Sequence, residues 1–276
     1  MKVEISSTVT VGHGSNLLLI AGPCQSESLE HCLLVGRHVQ KACENLPVSL
    51  VFKSSYDKAN RTSAGSTRGV GIEEGLEILA QVRATLGVPV LTDVHTEEQA
   101  ARAGAVVDIL QIPAFLCRQT DLLLAAGKTG KTINVKKGQF LHPSDMRFVA
   151  EKIASTGNNK ILLCERGASF GYRDLVMDPR SLLLMRDTGY PVVFDATHSV
   201  QQLGGAGGSS GGSRHFVQAL ARAAVAVGVD GVFIECHNDP DNAPSDGPCM
   251  LPLEGIGPLM TVLCDIRRAA HSEAHA

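Results

Sequence analysis

Val48-Ser-Leu-Val-Phe-Lys-Ser-Ser-Tyr-Asp-Lys-Ala-Asn-Arg-Thr-Ser63 begins as a short apolar run and turns polar at Lys53. The run Val48–Lys53 reads as a buried strand. The eleven residues from Lys53 to Ser63 then offer two lysines, one arginine, one asparagine and four aliphatic hydroxyls. So many donors where a strand becomes a loop suit a small, multiply anionic ligand; the competing reading is a solvated surface loop. Downstream, Glu73–Leu86 places Leu76, Leu79, Val82 and Leu86 at three- and four-residue intervals, the period of an amphipathic helix. Gly87 and Pro89 end it, and a second apolar run, Val88–Asp93, follows. Strand, polar loop, helix and strand form the unit from which the rest of the chain is read.

The unit recurs. Strands are predicted at Leu17–Ala21, Val48–Lys53, Val88–Asp93, Val107–Ile112, Thr132–Lys136, Lys160–Glu165, Pro191–Ala196 and Gly231–Cys236. Helix-like stretches between them include Leu29–Leu46, Glu73–Leu86, Asp121–Ala126, Ser144–Ser155, Pro179–Asp187 and His215–Val227. Eight strand–helix units in one chain predict a single-domain α/β fold, a (β/α)8 TIM barrel. A doubly wound open sheet is the alternative, and it would carry one Gly-rich phosphate turn after its first strand. Here polar residues close nearly every strand, as a barrel with its site at the C-terminal face requires. Residues 1–16 precede the first strand as an N-terminal cap. The Gly/Ser-rich stretch 204–213 is too flexible for a packed element and is expected to be either a lid over the site or an inert loop.

The bulk numbers narrow the function classes. The 276 residues are 44% hydrophobic and 19% charged, with a formal net charge of −3, so nothing indicates a nucleic-acid or membrane surface. Aromatics are 4% and Trp is absent, which disfavours recognition by base stacking. No apolar run approaches the roughly 18 residues of a membrane span, and the N-terminus has no signal-peptide core. The eight cysteines, several inside apolar runs (Cys32, Cys164, Cys236, Cys264), lack framework spacing, which suggests reduced thiols and a cytoplasmic location.

The strand ends carry the chemistry. They present Cys24, Lys53, Asp93 with His95, Gln111, Lys136 with Lys137, Glu165 with Arg166, Asp195 with His198, and Glu235 with His237. A cation closing a buried strand is costly unless it faces a ligand or a counter-charge. Lys53, Lys136 and Arg166 would form a cationic floor suited to phosphate and carboxylate; ion pairing among the strand ends, for example Arg166 with Asp195, is the other reading. Asp93 and His95 could orient a substrate hydroxyl or transfer a proton, against the simpler pairing of Asp93 with a lysine.

Cys24, His198, Glu235 and Asp246 form a second constellation. Barrel closure makes the eighth strand a neighbour of the first, so these residues meet despite the sequence gap. A thiolate, an imidazole and two carboxylates could hold a divalent ion such as Zn²⁺, Fe²⁺, Mn²⁺ or Co²⁺. A lone cysteine after a strand is otherwise a small buried hydrophobe. His237 is a further ligand, a second-layer partner, or a hydrogen-bonded structural histidine.

Taken together, these residues resemble the 3-deoxy-D-manno-octulosonate 8-phosphate synthase family over about Leu17 to Leu253. The matching motifs are Ala21-Gly-Pro-Cys24, Phe52-Lys-Ser-Ser55, Asp57-Lys-Ala-Asn-Arg61, Thr92-Asp-Val-His95 and Gln111-Ile-Pro-Ala-Phe-Leu-Cys-Arg-Gln-Thr-Asp121. Asn134-Val-Lys-Lys-Gly-Gln-Phe140, Glu165-Arg-Gly167, Phe170-Gly-Tyr172 and Asp195-Ala-Thr-His-Ser199 complete the set.

The resemblance implies condensation of phosphoenolpyruvate with D-arabinose 5-phosphate, releasing inorganic phosphate, for lipopolysaccharide biosynthesis. It implies that Lys53, Ser55, Lys58, Gln111, Lys136 and Arg166 hold phosphoenolpyruvate, and that Asn60, Arg61 and Thr62 hold the sugar phosphate. Arg118 would reach the sugar phosphate of a neighbouring subunit, implying a homotetramer. Lys53, Asp93, His95, Lys136 and His198 are the candidate catalytic residues. The family's metal-free branch carries Asn at the Cys24 position, so Cys24 implies the metal-dependent branch, with His198, Glu235 and Asp246 as the other ligands. Three segments depart from the family pattern: Thr62 replaces a serine, Ala64-Gly-Ser66 lacks an Ile-His, and Ser245-Asp-Gly-Pro248 is closer to the metal-free branch. The nearest rival is the related synthase using erythrose 4-phosphate, whose loop reads Lys-Pro-Arg-Thr where this chain has Lys58-Ala-Asn-Arg61. A phosphometabolite-binding barrel without catalysis is the rival from another class.

Overall fold

The computed structural model describes residues 1–61, 63, 65, 67–202 and 211–272. Eight parallel strands among them close into a barrel: β1 (Leu17–Gly22), β2 (Val48–Lys53), β3 (Val90–Asp93), β4 (Ile109–Ile112), β5 (Thr132–Lys136), β6 (Ile161–Glu165), β7 (Val192–Asp195) and β8 (Gly231–His237). Each pairs with the next in sequence, and β8 pairs with β1, so the ring is complete. Helices cover the outside: α1 (Leu29–Ala42), α2 (Ile72–Leu86), α3 (Glu97–Gly104), α4 (Thr120–Lys128), α5 (Met146–Ala154), α6 (Pro179–Arg186), α7 (Val217–Val227) and α8 (Ile256–Ser272). The chain is a single-domain (β/α)8 barrel.

Strand alternation divides the core into two layers. Leu18, Ile20, Val51, Leu91, Ile109, Leu162, Cys164, Val193 and Phe233 point inward and fill the barrel. Their neighbours Leu17, Leu19, Phe52, Val90, Leu110, Leu163, Phe194 and Val232 point outward against the helices. An N-terminal hairpin, Lys2–Glu4 paired with Thr10–Gly12, adds Val3, Val9 and Val11 to the inner layer and closes the N-terminal end of the barrel.

The same parity aims the site. Two residues beyond an inward apolar side chain, the next inward position is Lys53 after Val51, Asp93 after Leu91 and Gln111 after Ile109. It is Arg166 after Cys164, Asp195 after Val193 and Glu235 after Phe233. Polar groups therefore begin at the depth where the apolar filling stops.

Local endings differ from the sequence expectation. α1 stops at Ala42, four residues before Leu46, because Cys43 N–H folds back onto Val39 and Gln40 carbonyls and Pro47 opens the next strand. β3 starts at Val90, past Pro89, which has no N–H for the ladder. α5 and α7 are each preceded by a 3₁₀ turn, Pro143–Asp145 and Arg214–Phe216. Of the Gly/Ser-rich stretch 204–213, residues 204–210 lie outside the described residues, but Gly211 and Gly212 pair with Gln202 and Gln201 in a short antiparallel ladder. The segment expected to lack packed structure is thus anchored at its C-terminal end.

Candidate active site

Lys53 closes β2 inside the barrel, 1% exposed. Its Nζ donates to the Cys24 carbonyl at 2.7 Å and to Glu235 Oε1 at 2.5 Å. Gly22 permits this approach, since a Cβ there would overlap the Lys53 carbonyl. The β1–β2 pairing continues past the strands through a Gln25–Ser55 bridge, with Ser26 N–H donating to the Ser55 carbonyl at 2.8 Å. Cys24 is thereby pinned beside the ends of β2 and β8.

Lys136 closes β5 and donates to Asp195 Oδ2 at 2.6 Å, its Nζ 3.8 Å from the Phe233 ring centroid. Burial acts to lower the Lys136 ammonium, but Asp195, with Cys164, Glu235 and Asp93 behind it, outweighs burial and the net shift is upward. Asp195 also accepts from His198, backbone N–H to Oδ1 at 2.9 Å and Nδ1 to Oδ2 at 2.8 Å. Burial acts to raise the Asp195 carboxyl, yet His198 and Lys136 hold it well below the usual carboxylate range. A carboxylate on Nδ1 favours a proton there, so that in the neutral ring the lone pair is on Nε2. Ion pairing among the strand ends, the alternative reading from sequence, has Arg166 with Asp195 as its example; the structure pairs Asp195 instead with Lys136, which inward parity on β5 and β7 brings face to face with it, and with His198.

Arg166 is buried, and its Nη2 donates to Gln201 Oε1 at 2.8 Å. Its Nη1, although buried, has no hydrogen-bond partner among the described residues. Burial pushes this guanidinium down, against the pull of Asp195. A buried, unpartnered cationic donor is costly unless an anion completes it.

Asp93 and Gln111 form a polar chain on the other wall. Asp93 accepts from Ser55 Oγ and Gln111 Nε2, and Gln111 Oε1 accepts from Asn134 Nδ2 at 2.8 Å. Lys58 donates to Ser55 Oγ at 3.1 Å. Burial acts to raise Asp93, but Lys53, Lys58 and Lys136 overcome it and keep the carboxyl well below its ordinary range. Both ends of Gln111 are thus engaged within the protein. His95 lies half-buried just beyond β3. Its backbone N–H and its Nδ1 both meet Gln99 Oε1, at 2.8 and 3.1 Å. The backbone donor fixes that atom as the amide oxygen, so Nδ1 carries a proton and, in the neutral ring, the lone pair is on Nε2.

Cys24, Glu235 and Asp246 place their ligand atoms within 4.8 Å of one another. The pairing of Glu235 with Gly22 in the β8–β1 register brings them together. His198 stands at the edge of this set, Nε2 3.5 Å from Glu235 Oε2 and 3.9 Å from Asp246 Oδ2. Cys24 Sγ–H donates to Asp246 Oδ2 at 3.2 Å, and burial, then Glu235, pushes the thiol well up. Burial acts to raise Glu235, but Lys53 and then His198 hold it ionised, and its buried Oε2 has no hydrogen-bond partner. Asp246 adopts φ 51°, the one non-glycine residue at positive φ among those described, a conformation tolerated by Asp and common at functional sites. A thiol and two carboxylates within 4.8 Å of one another, with an imidazole at their edge, fit a divalent transition metal.

The remaining candidates lie further out. Arg61 ties its loop to the segment after β8, donating to Ser245 Oγ at 2.9 Å and the Pro244 carbonyl at 2.7 Å. Asn60 is exposed on the same loop. Thr62 lies outside the described residues. Arg118 is exposed, two residues before α4. His237 accepts from Asp239 N–H at Nδ1 and meets Glu27 Oε1 through Nε2, both at 2.9 Å. Nε2 thus directs a proton at Glu27, and the ring groups with Glu27 and His31 rather than with the Cys24 cluster. The sequence reading missed Gln201, which no strand end announces, and Phe233, an apolar residue whose ring lies beneath Lys136 and, at 5.8 Å, Lys53.

Comparison with known proteins agrees with this architecture. The model of the DAHP synthetase I family matches residues 1–269. The chain is 58% identical over 270 residues to the 2-dehydro-3-deoxyphosphooctonate aldolase of Rhizobium meliloti (strain 1021), covering 95% of this chain and 96% of that one. It is 65% identical over 253 residues to the protein so named from Granulibacter bethesdensis (92% and 90% covered). It is 56% identical over 273 residues to that from Brucella canis (97% and 99% covered). The chain therefore belongs to the DAHP synthetase I family, and within it to the group of the 2-dehydro-3-deoxyphosphooctonate aldolases.

Proposed function

We propose that this protein is an enzyme that condenses phosphoenolpyruvate with D-arabinose 5-phosphate and water, giving 3-deoxy-D-manno-octulosonate 8-phosphate and inorganic phosphate, for lipopolysaccharide biosynthesis. The observation that carries the reading is the buried floor of Lys53, Lys136 and Arg166, in which Lys53 and Lys136 are ion-paired with Glu235 and Asp195 while Arg166 Nη1 has no hydrogen-bond partner among the described residues. Such a floor suits the carboxylate and phosphate of an enol phosphate.

The bond changes follow from the substrates. C3 of the enol attacks the aldehyde carbon, whose oxygen takes a proton. Water adds at C2, losing one proton, and the C–O bond to phosphate then breaks as the new hydroxyl becomes the ketone. Arg166 and Lys136 hold the enol phosphate's charges and stabilise the phosphate as it leaves. Asp195 keeps Lys136 charged and oriented. Asp93, held by Ser55 and Gln111, fixes the wall against which the substrates lie. His95, with Nδ1–H on Gln99, has its Nε2 lone pair positioned to take or return a proton. Asn60, Arg61 and Thr62 meet the sugar phosphate.

Cys24, His198, Glu235 and Asp246 would hold a divalent metal, which when bound supplies Lewis acidity to the aldehyde or acidifies water. His198 is kept in the ligating tautomer by Asp195. A homotetramer is supported by the exposed aromatics Phe115, Phe140, Phe148, Phe170 and Tyr172 and by the exposure of Arg118. Eight buried, free cysteines support a reducing, cytoplasmic compartment; no helix among the described residues is long and apolar enough to cross a membrane.

The test is phosphate release from phosphoenolpyruvate with arabinose 5-phosphate or erythrose 4-phosphate, before and after a strong chelator. Release with arabinose 5-phosphate supports the reading. Turnover with erythrose 4-phosphate alone would transfer the chain to the related heptulosonate synthases, and binding without turnover to a non-catalytic barrel.

A further inference from the structure

Gln201 occupies a position that neither the fold nor the proposed chemistry requires to be an amide. It follows the 3₁₀ turn His198–Val200 after β7 and is 7% exposed. Its backbone is held without its side chain: N–H caps the His198 carbonyl, and the ladder to Gly212 continues from it. The side chain spans two functional groups. Oε1 accepts from Arg166 Nη2 at 2.8 Å, and Nε2 donates to Asp246 Oδ1 at 2.8 Å. A carboxamide suits this span, because its oxygen end meets a cation and its nitrogen end meets a carboxylate. With Oδ1 on Gln201, Asp246 turns Oδ2 toward Cys24 and Ser245. With Nη2 on Gln201, Arg166 turns its unpartnered Nη1 elsewhere in the buried pocket.

We propose that Gln201 is a positioning residue that holds Arg166 and Asp246 as one unit, joining the anion-binding end of the pocket to the candidate metal ligands. The proposal rests on the reading of Arg166 as a phosphoenolpyruvate contact and of Asp246 as a ligand. Each contact is a charge-assisted hydrogen bond in a buried setting, so its loss affects both ends.

The experiment uses the full chain with Gln201→Met, which keeps the length and loses both contacts, and Gln201→Glu. Phosphoenolpyruvate affinity is measured by calorimetry, and Co²⁺ affinity is measured on metal-stripped protein, so neither readout depends on turnover. Gln201→Met is expected to weaken both by about tenfold and to raise KM for phosphoenolpyruvate while leaving KM for the sugar phosphate within about twofold. Gln201→Glu is expected to weaken phosphoenolpyruvate more than Gln201→Met does, because its carboxylate pairs with Arg166 in place of the ligand. A general folding defect would not produce that ranking. Wild-type affinities in Gln201→Met, or a lowered Tm with unchanged affinities, overturn the proposal. Should the methionine variant not fold, wild-type phosphoenolpyruvate affinity in Gln201→Glu overturns it alone. Wild-type protein that binds no phosphoenolpyruvate would instead end the reading of the pocket itself.

Discussion

Lys53 Nζ stands 2.5 Å from Glu235 Oε1, with both side chains 1% exposed, and the second oxygen of that carboxylate has no hydrogen-bond partner among the described residues. A half-satisfied carboxylate beside a buried cation is a poor stabilising device, since desolvating two charges offsets much of their attraction. It is a sound ligand geometry, because one oxygen is fixed and the other is left open. Lys53→Met should therefore cost about 3–5 kcal/mol, as it strands Glu235. Lys53→Met with Glu235→Leu should recover most of that loss while remaining inactive. Urea unfolding of the two variants checks this; a single variant as stable as wild type would mean that the pair is not desolvated.

Asp93 gives the pH dependence of stability. Its folded carboxyl titrates below the ordinary carboxylate value because Lys53, Lys58 and Lys136 outweigh burial. As pH falls through about 4, the unfolded chain takes up the proton first. The contribution of Asp93 is thus fully present above that range and is lost progressively below it. Asp93→Asn should show a shallower acid limb, by at most about 1.4 kcal/mol per pH unit for one proton. The measurement is the urea midpoint from pH 7 downward; parallel acid limbs in the two proteins would contradict the assignment.

Much of this was legible in the sequence, for definite reasons. Val48–Lys53 and Thr132–Lys136 were placed to the residue, since a lysine ending an apolar run marks both the strand boundary and the polar end of the barrel. α3 was not named, because only small residues, Ala100, Ala103 and Gly104, face its core side and leave no period of large side chains. α8 was missed although Ile256, Leu259, Met260 and Leu263 are buried at helical spacing. In the site, period-two alternation found the charged strand ends but not their partners. Which carboxylate meets Lys136 depends on how the strand ends face one another across the closed barrel, and that Gln201 joins Arg166 to Asp246 depends on loop paths; no local pattern encodes either.

Metal uptake should release a proton. Cys24 is held as a thiol by burial and by Glu235, whereas Glu235 is already ionised. Ligation by sulfur requires the thiolate. Calorimetry of Zn²⁺ binding to metal-stripped protein near neutral pH, in two buffers of different ionisation enthalpy, should report about one proton released per ion. Cys24→Asn should abolish that release and weaken binding. Equal proton counts in the two proteins would return Cys24 to a buried hydrophobe.

Arg61 links two loops before any substrate arrives, through Ser245 Oγ and the Pro244 carbonyl, while Ser245 Oγ also contacts Asp246 Oδ2. If Arg61 meets the sugar phosphate, it must exchange these neutral acceptors for a dianion, a favourable exchange for a guanidinium. Arg61→Ala should then raise KM for arabinose 5-phosphate by at least about tenfold, since a charge-assisted contact contributes on the order of 1.5–3 kcal/mol. KM for phosphoenolpyruvate should change little, because Arg166 and Lys136 are untouched. If both constants rise together, Arg61 acts mainly as the tie between the loops. If neither moves, the sugar phosphate lies elsewhere.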